Sequence, residues 1–175
     1  MKSESSGSYC ANELREEMRQ FRTGLERIES SLFSWSCEPV KYFKDKQNFP
    51  IDFQIFMEEI GPCYSSSERR HGYQVLYLVS PEDAFEPEFN NGFFYVKHLG
   101  DVRSDQVCVI ARDVDNQDYG FLRSQVPYQF FSHWGVDWLG DSTMGISFWH
   151  WFQKHLSDAI EYIDPDLVSK LKTCR

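Results

Sequence analysis

The chain has 175 residues, of which 41% are hydrophobic and 17% aromatic, so it is long enough to bury one sizeable core without disulfide or metal staples. Its 27 acidic residues exceed its 18 Lys and Arg residues, and the formal net charge of −9 argues against direct nucleic-acid binding, which needs a basic surface. This charge fits either a basic protein partner or an acidic surface that only maintains solubility.

The cysteines and the N-terminal residues indicate the cellular compartment in which the protein is expected. The five cysteines are odd in number and lack Cys-x-x-Cys spacing, which argues against a disulfide framework and against structural zinc: Cys10, Cys37, Cys63, Cys108 and Cys174. Residues 1–9 are Ser-rich without a hydrophobic run, which predicts a disordered leader rather than a signal peptide. No stretch approaches the length of a membrane span. We therefore expect a cytoplasmic protein without membrane contact, in which residues 10–175 form one domain.

Two helices are predicted in the first third of the chain. Apolar residues recur at intervals of four and three from Leu14 to Leu32, which is typical of a long amphipathic helix. The segment Ser34–Asn48 is interpreted as a connecting loop. A second helix begins near Pro50, which suits a first helical position, and ends at Gly61, where Pro62 prevents continuation. Its aromatic face predicts packing against a sheet: Phe53, Phe56, Met57 and Ile60.

The middle of the chain reads as strands and turns. Four segments rich in β-branched and aromatic residues predict strands: Tyr73–Ser80, Gly92–Leu99, Val107–Asp113 and Tyr119–Arg123. The last two predict an antiparallel hairpin. The intervening segments are interpreted as turns or loops: Ser65–Gly72, Pro81–Asn91, Gly100–Asp105 and Val114–Asp118. For Val126–Trp134 the pattern leaves strand and short helix equally open.

Helical periodicity returns near the C-terminus, from Ile146 to Ile163, with Ser142 or Thr143 as the expected cap. Pro165 ends this helix, and Leu167–Lys172 predicts a last short helix. Helices separated from a run of hairpin-connected strands indicate an α+β fold with a twisted, mainly antiparallel sheet flanked by helices.

The sequence gives only weak signals for catalytic or metal-binding residues. Asp113, Asp115 and Asp118 alternate as calcium ligands do, but the spacing is wrong for an EF-hand, and Asp favours tight turns for backbone reasons. His150 and His155 lie about 140° apart around a helix, so one metal ion does not easily take both. Cys108 in the middle of a strand is expected to be an inert buried thiol. We assign no catalytic residue, no metal ligand and no cofactor.

Two stretches are candidates for partner binding. Trp134 and Trp138 lie outside any clear helical period, so they form either part of the core or an interface hot spot. The loop after the first predicted strand carries four carboxylates that are either simply solvated or dock a basic surface: Glu82, Asp83, Glu86 and Glu88.

Four segments together resemble a known family, and the amphipathic helix Leu14–Leu32 looks like the first helix of that family. The segment Phe49–Met57, Phe-Pro-Ile-Asp-Phe-Gln-Ile-Phe-Met, resembles the Leu-Pro-x-x-(Tyr/Phe)-x-x-Phe-Leu helix of the SUKH superfamily, which includes yeast cell-wall-synthesis regulators and bacterial immunity proteins. The strand Val107–Ala111, followed by the turn and the strand Tyr119–Leu122, is similar to its Ile-Ala-x-Asp…Gly-Asp hairpin. The segment Ser147–Phe152 is similar to its closing Phe-x-x-Phe-Leu helix.

The resemblance implies a non-catalytic role. Bacterial members typically bind and neutralise a toxin, often a nuclease, so the expected partner is a cognate protein toxin with a basic surface, and the chain itself is expected to be a monomer or a weak homodimer. Two alternatives stay open: a regulatory or scaffold domain for protein interactions, and a small metal-dependent hydrolase that uses Asp113, Asp115 and histidines.

Overall fold

The central helix, α2 (Ile51–Glu59), lies where the sequence predicts it and ends as its local signals require. In this computed structural model, Pro50 takes the N-cap position and Gly61 has a φ of +84°. A Cβ atom on Gly61 would lie 1.8 Å from the carbonyl oxygen of Glu38, so both conformation and space demand glycine. The predicted apolar face is fully buried: Phe53, Phe56, Met57 and Ile60.

The structure describes residues 11–28, 33–69, 72–78, 93–96, 100–103, 106–113, 117–123, 130–134, 147–163 and 165–172. Within these ranges the other helices are α1 (Ala11–Glu26), α3 (Phe148–Ile163) and α4 (Pro165–Lys172). The strands are β1 (Phe33–Cys37), β2 (Cys63–Arg69), β3 (Gly72–Leu78), β4 (Phe93–Val96), β5 (Gly100–Arg103), β6 (Val107–Asp113), β7 (Gln117–Leu122) and β8 (Phe130–Trp134). A short 3₁₀ turn, Lys46–Asn48, precedes α2.

Six of the strands form one sheet in the order β1-β2-β3-β6-β7-β8, and β4 pairs with β5 in a second sheet. Every pairing is antiparallel, including the predicted β6–β7 hairpin. Helices combined with antiparallel sheets confirm the α+β class. Among the helices of the described residues, none has the length and apolar character that crossing a bilayer requires.

The helices pack on one face of the larger sheet through aromatic rings. Ring centroids lie 4.6 Å apart for Tyr119 and Trp151, and 5.7 Å apart for Phe130 and Phe148. On β1, the strand at the opposite edge of the sheet from β8, the ring of Trp35 lies 6.1 Å from that of Phe152. The opposite face is also buried at the centre of the sheet, where it carries Val107, Val109 and Leu122. The sheet centre is therefore covered on both sides.

A close approach of two strands marks the middle of the β6–β7 hairpin. The register shifts between Val109 and Ala111, as a β-bulge does, and Gly120 lies opposite Val109. A Cβ atom on Gly120 would lie 2.1 Å from the carbonyl oxygen of Cys108, so a side chain there would force the strands apart.

Three loop or turn predictions were wrong. The segment Ser65–Gly72 lies mostly in β2, Gly100–Asp105 contains β5, and the start of Ser34–Asn48 belongs to β1. The polar β2 is a strand because β1 and β3 satisfy its backbone groups on both sides. The β-propensity of a segment is a weak predictor of its structure where neighbouring strands satisfy its backbone hydrogen bonds.

Several boundaries also differ from the prediction. The first helix ends at Glu26 rather than Leu32, and its last turn tightens through a hydrogen bond from Arg27 N to Gly24 O of 3.2 Å. The cap of α3 is Ser147, whose hydroxyl oxygen accepts a hydrogen bond from His150 N at 3.2 Å, and not Ser142 or Thr143. The undecided segment Val126–Trp134 contains a strand, β8. The predicted leader and the loop Pro81–Asn91 lie outside the described residues.

Candidate functional site

The predicted partner-binding residues fall largely outside the described part of the chain. This holds for Trp138 and for the four carboxylates of the acidic loop, Glu82, Asp83, Glu86 and Glu88. Trp134 is the last residue of β8, and its backbone lies opposite Gln117 of β7. The assignment of these six residues to an interface stays a prediction, but β8 places one of them at an end of the six-stranded sheet.

Next to Trp134, strand β7 and helix α3 assemble a group that we call the Tyr119 cluster: Gln117, Tyr119, Trp151 and His155. The Tyr119 hydroxyl donates a hydrogen bond to Gln117 Oε1 at 3.0 Å. The ring of His155 lies edge-on to Tyr119 at 6.0 Å and 5.3 Å from the ring of Trp151. Tyr119 and Trp151 are buried, whereas Gln117 and His155 are partly exposed. The cluster therefore presents polar groups at the surface over a rigid aromatic base.

Sequence reasoning missed the Tyr119 cluster. The sequence predicts a turn at Gln117, and for His155 it favours a packed or surface position on the last helix over a metal site. The signal was the alternation Gln117-x-Tyr119, which places both side chains on one face of a strand. Trp is enriched at protein–protein interfaces, so the partly exposed polar residues of this cluster, which lie beside Trp134, are the best-placed candidate site in the described chain.

Of the three candidate metal-binding carboxylates, the structure describes the side chain of Asp118, which is paired with a cation. Asp118 is 5% exposed, and both of its oxygens accept hydrogen bonds from Arg112, at 2.6 and 3.2 Å. These two residues lie directly opposite each other on β6 and β7. Asp113 ends β6, and Asp115 lies outside the described residues. Across the described ranges, no group of three or more His, Cys, Asp or Glu side chains is placed to hold a metal ion.

Aromatic rings of β8 and α3 belong to the core. Five of these rings are buried in one cluster with α1 and α2: Phe130, Phe148, Trp149, Trp151 and Phe152. Cys108 is buried as expected, and burial raises the pKa of its thiol to about 11, although Arg123 lowers it in part. The thiol is therefore protonated at neutral pH, which agrees with an inert role.

A group of charges, which we call the ionic clamp, joins the C-terminal end of α2 to α1. Both carboxylates of the pair Glu58 and Glu59 bind cations from α1 and the 3₁₀ turn: Arg15, Arg19 and Lys46. A third α1 residue, Arg22, donates a hydrogen bond to the backbone oxygen of Glu59 at 3.1 Å. Burial alone would raise the pKa of Glu58 and of Glu59, but the hydrogen bonds from these cations lower both pKa values overall.

Asp52, in the first turn of α2, is a further carboxylate with a structural role. Its Oδ1 accepts a hydrogen bond from Phe53 N at 2.9 Å, and its Oδ2 accepts one from Trp149 N at 3.0 Å. One carboxylate thus satisfies backbone donors at the N-terminal ends of both α2 and α3. Burial raises the pKa of Asp52 above its ordinary value of 3.8, and the backbone donors offset only part of this effect.

Comparison with known proteins adds no assignment: no family model, no curated protein and no solved structure matches the chain. Asp118 and Asp52 hold strands and helices together, and the partly exposed polar groups of the Tyr119 cluster lie beside the strand at one edge of the sheet.

Proposed function

We propose that this chain is a SUKH-like immunity protein that acts in the cytoplasm, without catalysis, by binding and neutralising a cognate protein toxin with a basic surface. The observation that carries the proposal is the charge distribution. The net charge is −9, and residues 71–96 contain four carboxylates but no Lys or Arg. An uncompensated acidic stretch attracts a basic partner and speeds its encounter.

The pairing of cations within the chain supports the same view. In the described part of the chain, these Lys and Arg side chains form ion pairs with carboxylates of the chain itself: Arg15, Arg19, Arg22, Lys46, Arg112 and Lys154. These cations are held at the carboxylates of helices and strands, so their fields are locally cancelled. We therefore expect a basic partner to approach the stretch 71–96, whose four carboxylates have no Lys or Arg beside them in sequence.

Gln117 and His155, the partly exposed residues of the Tyr119 cluster, and the neighbouring Trp134 supply the second requirement, which is contact that holds the partner after encounter. Rigid aromatic residues with polar ends are the commonest anchors of protein interfaces. A toxin with a cationic active site, such as a nuclease, would meet acidic residues for steering and this part of the sheet for tight contact. We expect the unbound chain to be a monomer or a weak homodimer.

Co-purification tests the proposal directly. The chain is co-expressed with the product of the gene adjacent to its own and purified through a tag on one of the two proteins. We expect a stable complex in which the activity of the partner is blocked, and an association rate that falls as salt is added. Failure to form a complex with the adjacent product, or a partner that keeps its activity in the complex, would contradict the immunity role.

A charge variant tests the acidic loop within that complex. Glu82→Gln, Asp83→Asn, Glu86→Gln and Glu88→Gln together should slow association roughly tenfold at low salt, because four steering charges are lost. The matched control removes four exposed carboxylates elsewhere: Glu16→Gln, Glu38→Gln, Asp45→Asn and Glu161→Gln. Equal association rates for the two variants would show that net charge matters and the position of the loop does not.

A variant of Trp134 tests whether this residue holds the partner after encounter. Trp134→Ala should weaken affinity by at least about tenfold if this residue is a hot spot, mostly through faster dissociation. The control is Tyr42→Ala, because Tyr42 is an aromatic residue that is 90% exposed and far from β8 in the chain. Melting temperatures are measured in parallel to separate a lost contact from a lost fold. An unchanged dissociation rate in a folded Trp134→Ala protein would place the interface elsewhere.

A further inference from the structure

Two cysteines that are distant in sequence lie directly opposite each other in the sheet. Cys37 is the last residue of β1 and Cys63 is the first residue of β2, and their Cα atoms are register partners. One step further along the pair, Glu38 N donates a hydrogen bond to Pro62 O at 3.1 Å. Because hydrogen-bonded and non-hydrogen-bonded pairs alternate along an antiparallel ladder, Cys37 and Cys63 form a non-hydrogen-bonded pair.

This type of pair has the geometry that a disulfide needs. In non-hydrogen-bonded antiparallel pairs the Cα atoms lie about 4.5 Å apart, and disulfides span Cα separations of about 4.4–6.8 Å. Opposite residues also present their side chains on the same face of the sheet. Both are free thiols, and both pack in the core between sheet and helices, where Cys63 is 5% exposed and Cys37 is half-buried.

The surroundings of the two thiols differ, and the difference determines which thiol reacts first. Burial raises the pKa of both thiols, and for Cys37 the nearby Arg22 of α1 offsets part of that effect. Cys37 is also the more exposed of the two. Cys37 is therefore the thiol that an oxidant reaches first, with Cys63 positioned behind it as the resolving thiol.

We propose that Cys37 and Cys63 form an oxidative modification site, at which a small-molecule disulfide of the glutathione class converts the two thiols into an intramolecular disulfide. The Cys37 thiolate attacks one sulfur of the oxidant, forms a mixed disulfide and releases one reduced thiol. Cys63 then loses its proton and attacks the Cys37 sulfur, which releases the second reduced thiol. The two protein thiols give up two electrons and two protons, and the oxidant takes up both.

The bond would close the segment from Cys37 to Cys63, which contains the whole of α2. A cross-link of this kind stabilises chiefly by removing conformational freedom from the unfolded chain, so we expect the melting temperature to rise by about 5–10 °C. This inference concerns the redox state of the chain and stands independently of the proposed immunity role.

The test uses the folded, full-length chain without denaturant. The protein is incubated with oxidised glutathione at mildly alkaline pH, where the raised pKa values hinder the reaction less, then acidified, and the remaining free thiols are alkylated. Peptide mapping should find a single cross-linked peptide pair that contains Cys37 and Cys63, reversible by dithiothreitol. The melting temperature should rise on oxidation and fall back on reduction.

Matched variants make the result decisive. Cys37→Ser should abolish both the cross-link and the rise in melting temperature. Cys108→Ala is the control, because Cys108 is equally buried in a strand but lies opposite Phe121, and it should leave both effects intact. A glutathione adduct that persists on Cys37, a cross-link from Cys37 to Cys10 or Cys174, or a Cys37–Cys63 bond that forms only in denaturant would each overturn the proposal.

Discussion

The two ends of α2 are held by opposite kinds of contact. At the N-terminal end, Asp52 lies between the backbone N–H groups of Phe53 and Trp149, next to aromatic rings of α2 and α3. At the C-terminal end, Glu58 and Glu59 bind the arginines and the lysine of the ionic clamp, whose side chains are between 32% and 57% exposed. The first contact is mainly apolar with one half-buried carboxyl group, and the second is charged, with cations that reach the solvent.

This difference should give the two ends opposite responses to pH. The pKa of Asp52 is raised, so its contribution to stability is present below its ordinary value of 3.8 and is lost as the pH rises through its folded pKa. The pKa values of Glu58 and Glu59 are lowered, so their contribution is present above the ordinary value of 4.5 and is lost as the pH falls through their folded pKa values. Burial dominates at one end and ion pairing at the other.

The largest expected effect comes from the aromatic contact. Phe56 is fully buried, and its ring centroid lies 4.6 Å from that of Phe152 and 5.0 Å from that of Phe148. Phe56→Ala should lower the free energy of unfolding by about 3–5 kcal/mol, because it leaves a cavity between α2 and α3. The control on the same helix is Ile51→Ala, since Ile51 is 62% exposed and should change stability by less than about 0.5 kcal/mol. Denaturant titration measures both, and similar losses would mean that α2 is misplaced.

An intermediate effect is expected for Asp52, which is half-buried. Asp52→Asn should cost about 1–2 kcal/mol at acidic pH, because each oxygen of the protonated carboxyl group can still accept a hydrogen bond from a backbone N–H, whereas the amide nitrogen of Asn accepts none. The cost should shrink as the pH rises through the folded pKa of Asp52, because only the wild type then bears a desolvated charge. Unfolding titrations at several pH values between about 3 and 7 measure this trend. A cost that grows with pH would show that the backbone donors, and not burial, control this group.

The smallest effect is expected for the ionic clamp. Glu59→Gln should cost about 1 kcal/mol or less, because its partners are partly exposed and water screens the pairing. The cost should decrease with added salt and disappear as the pH falls below the folded pKa of Glu59. Asp158→Asn, which breaks the exposed pair with Lys154 within α3, provides the reference for a fully screened contact. If Glu59→Gln lowered the free energy of unfolding by more than Asp52→Asn, and the loss did not depend on salt, the C-terminal end of α2 would be the more strongly held of the two ends.

The sequence by itself determined the elements whose signals lie within a few residues. The Pro50 start and the Gly61 stop bound α2, the apolar period predicted α1 and α3, and the β-branched run Val107–Asp113 matched β6 to the residue. These patterns were enough for the α+β class, because each element carries its own periodicity and its own end signals.

Only the tertiary structure decided what depends on pairing between distant segments. The polar strand β2 exists because β1 and β3 complete its hydrogen bonds, and that pairing sets Cys37 against Cys63. In the same way, the amide that Asp52 binds on α3 lies 97 residues away along the chain. Local sequence does not specify such contacts, because a buried backbone or carboxylate group needs a partner and the fold alone determines which distant group supplies it.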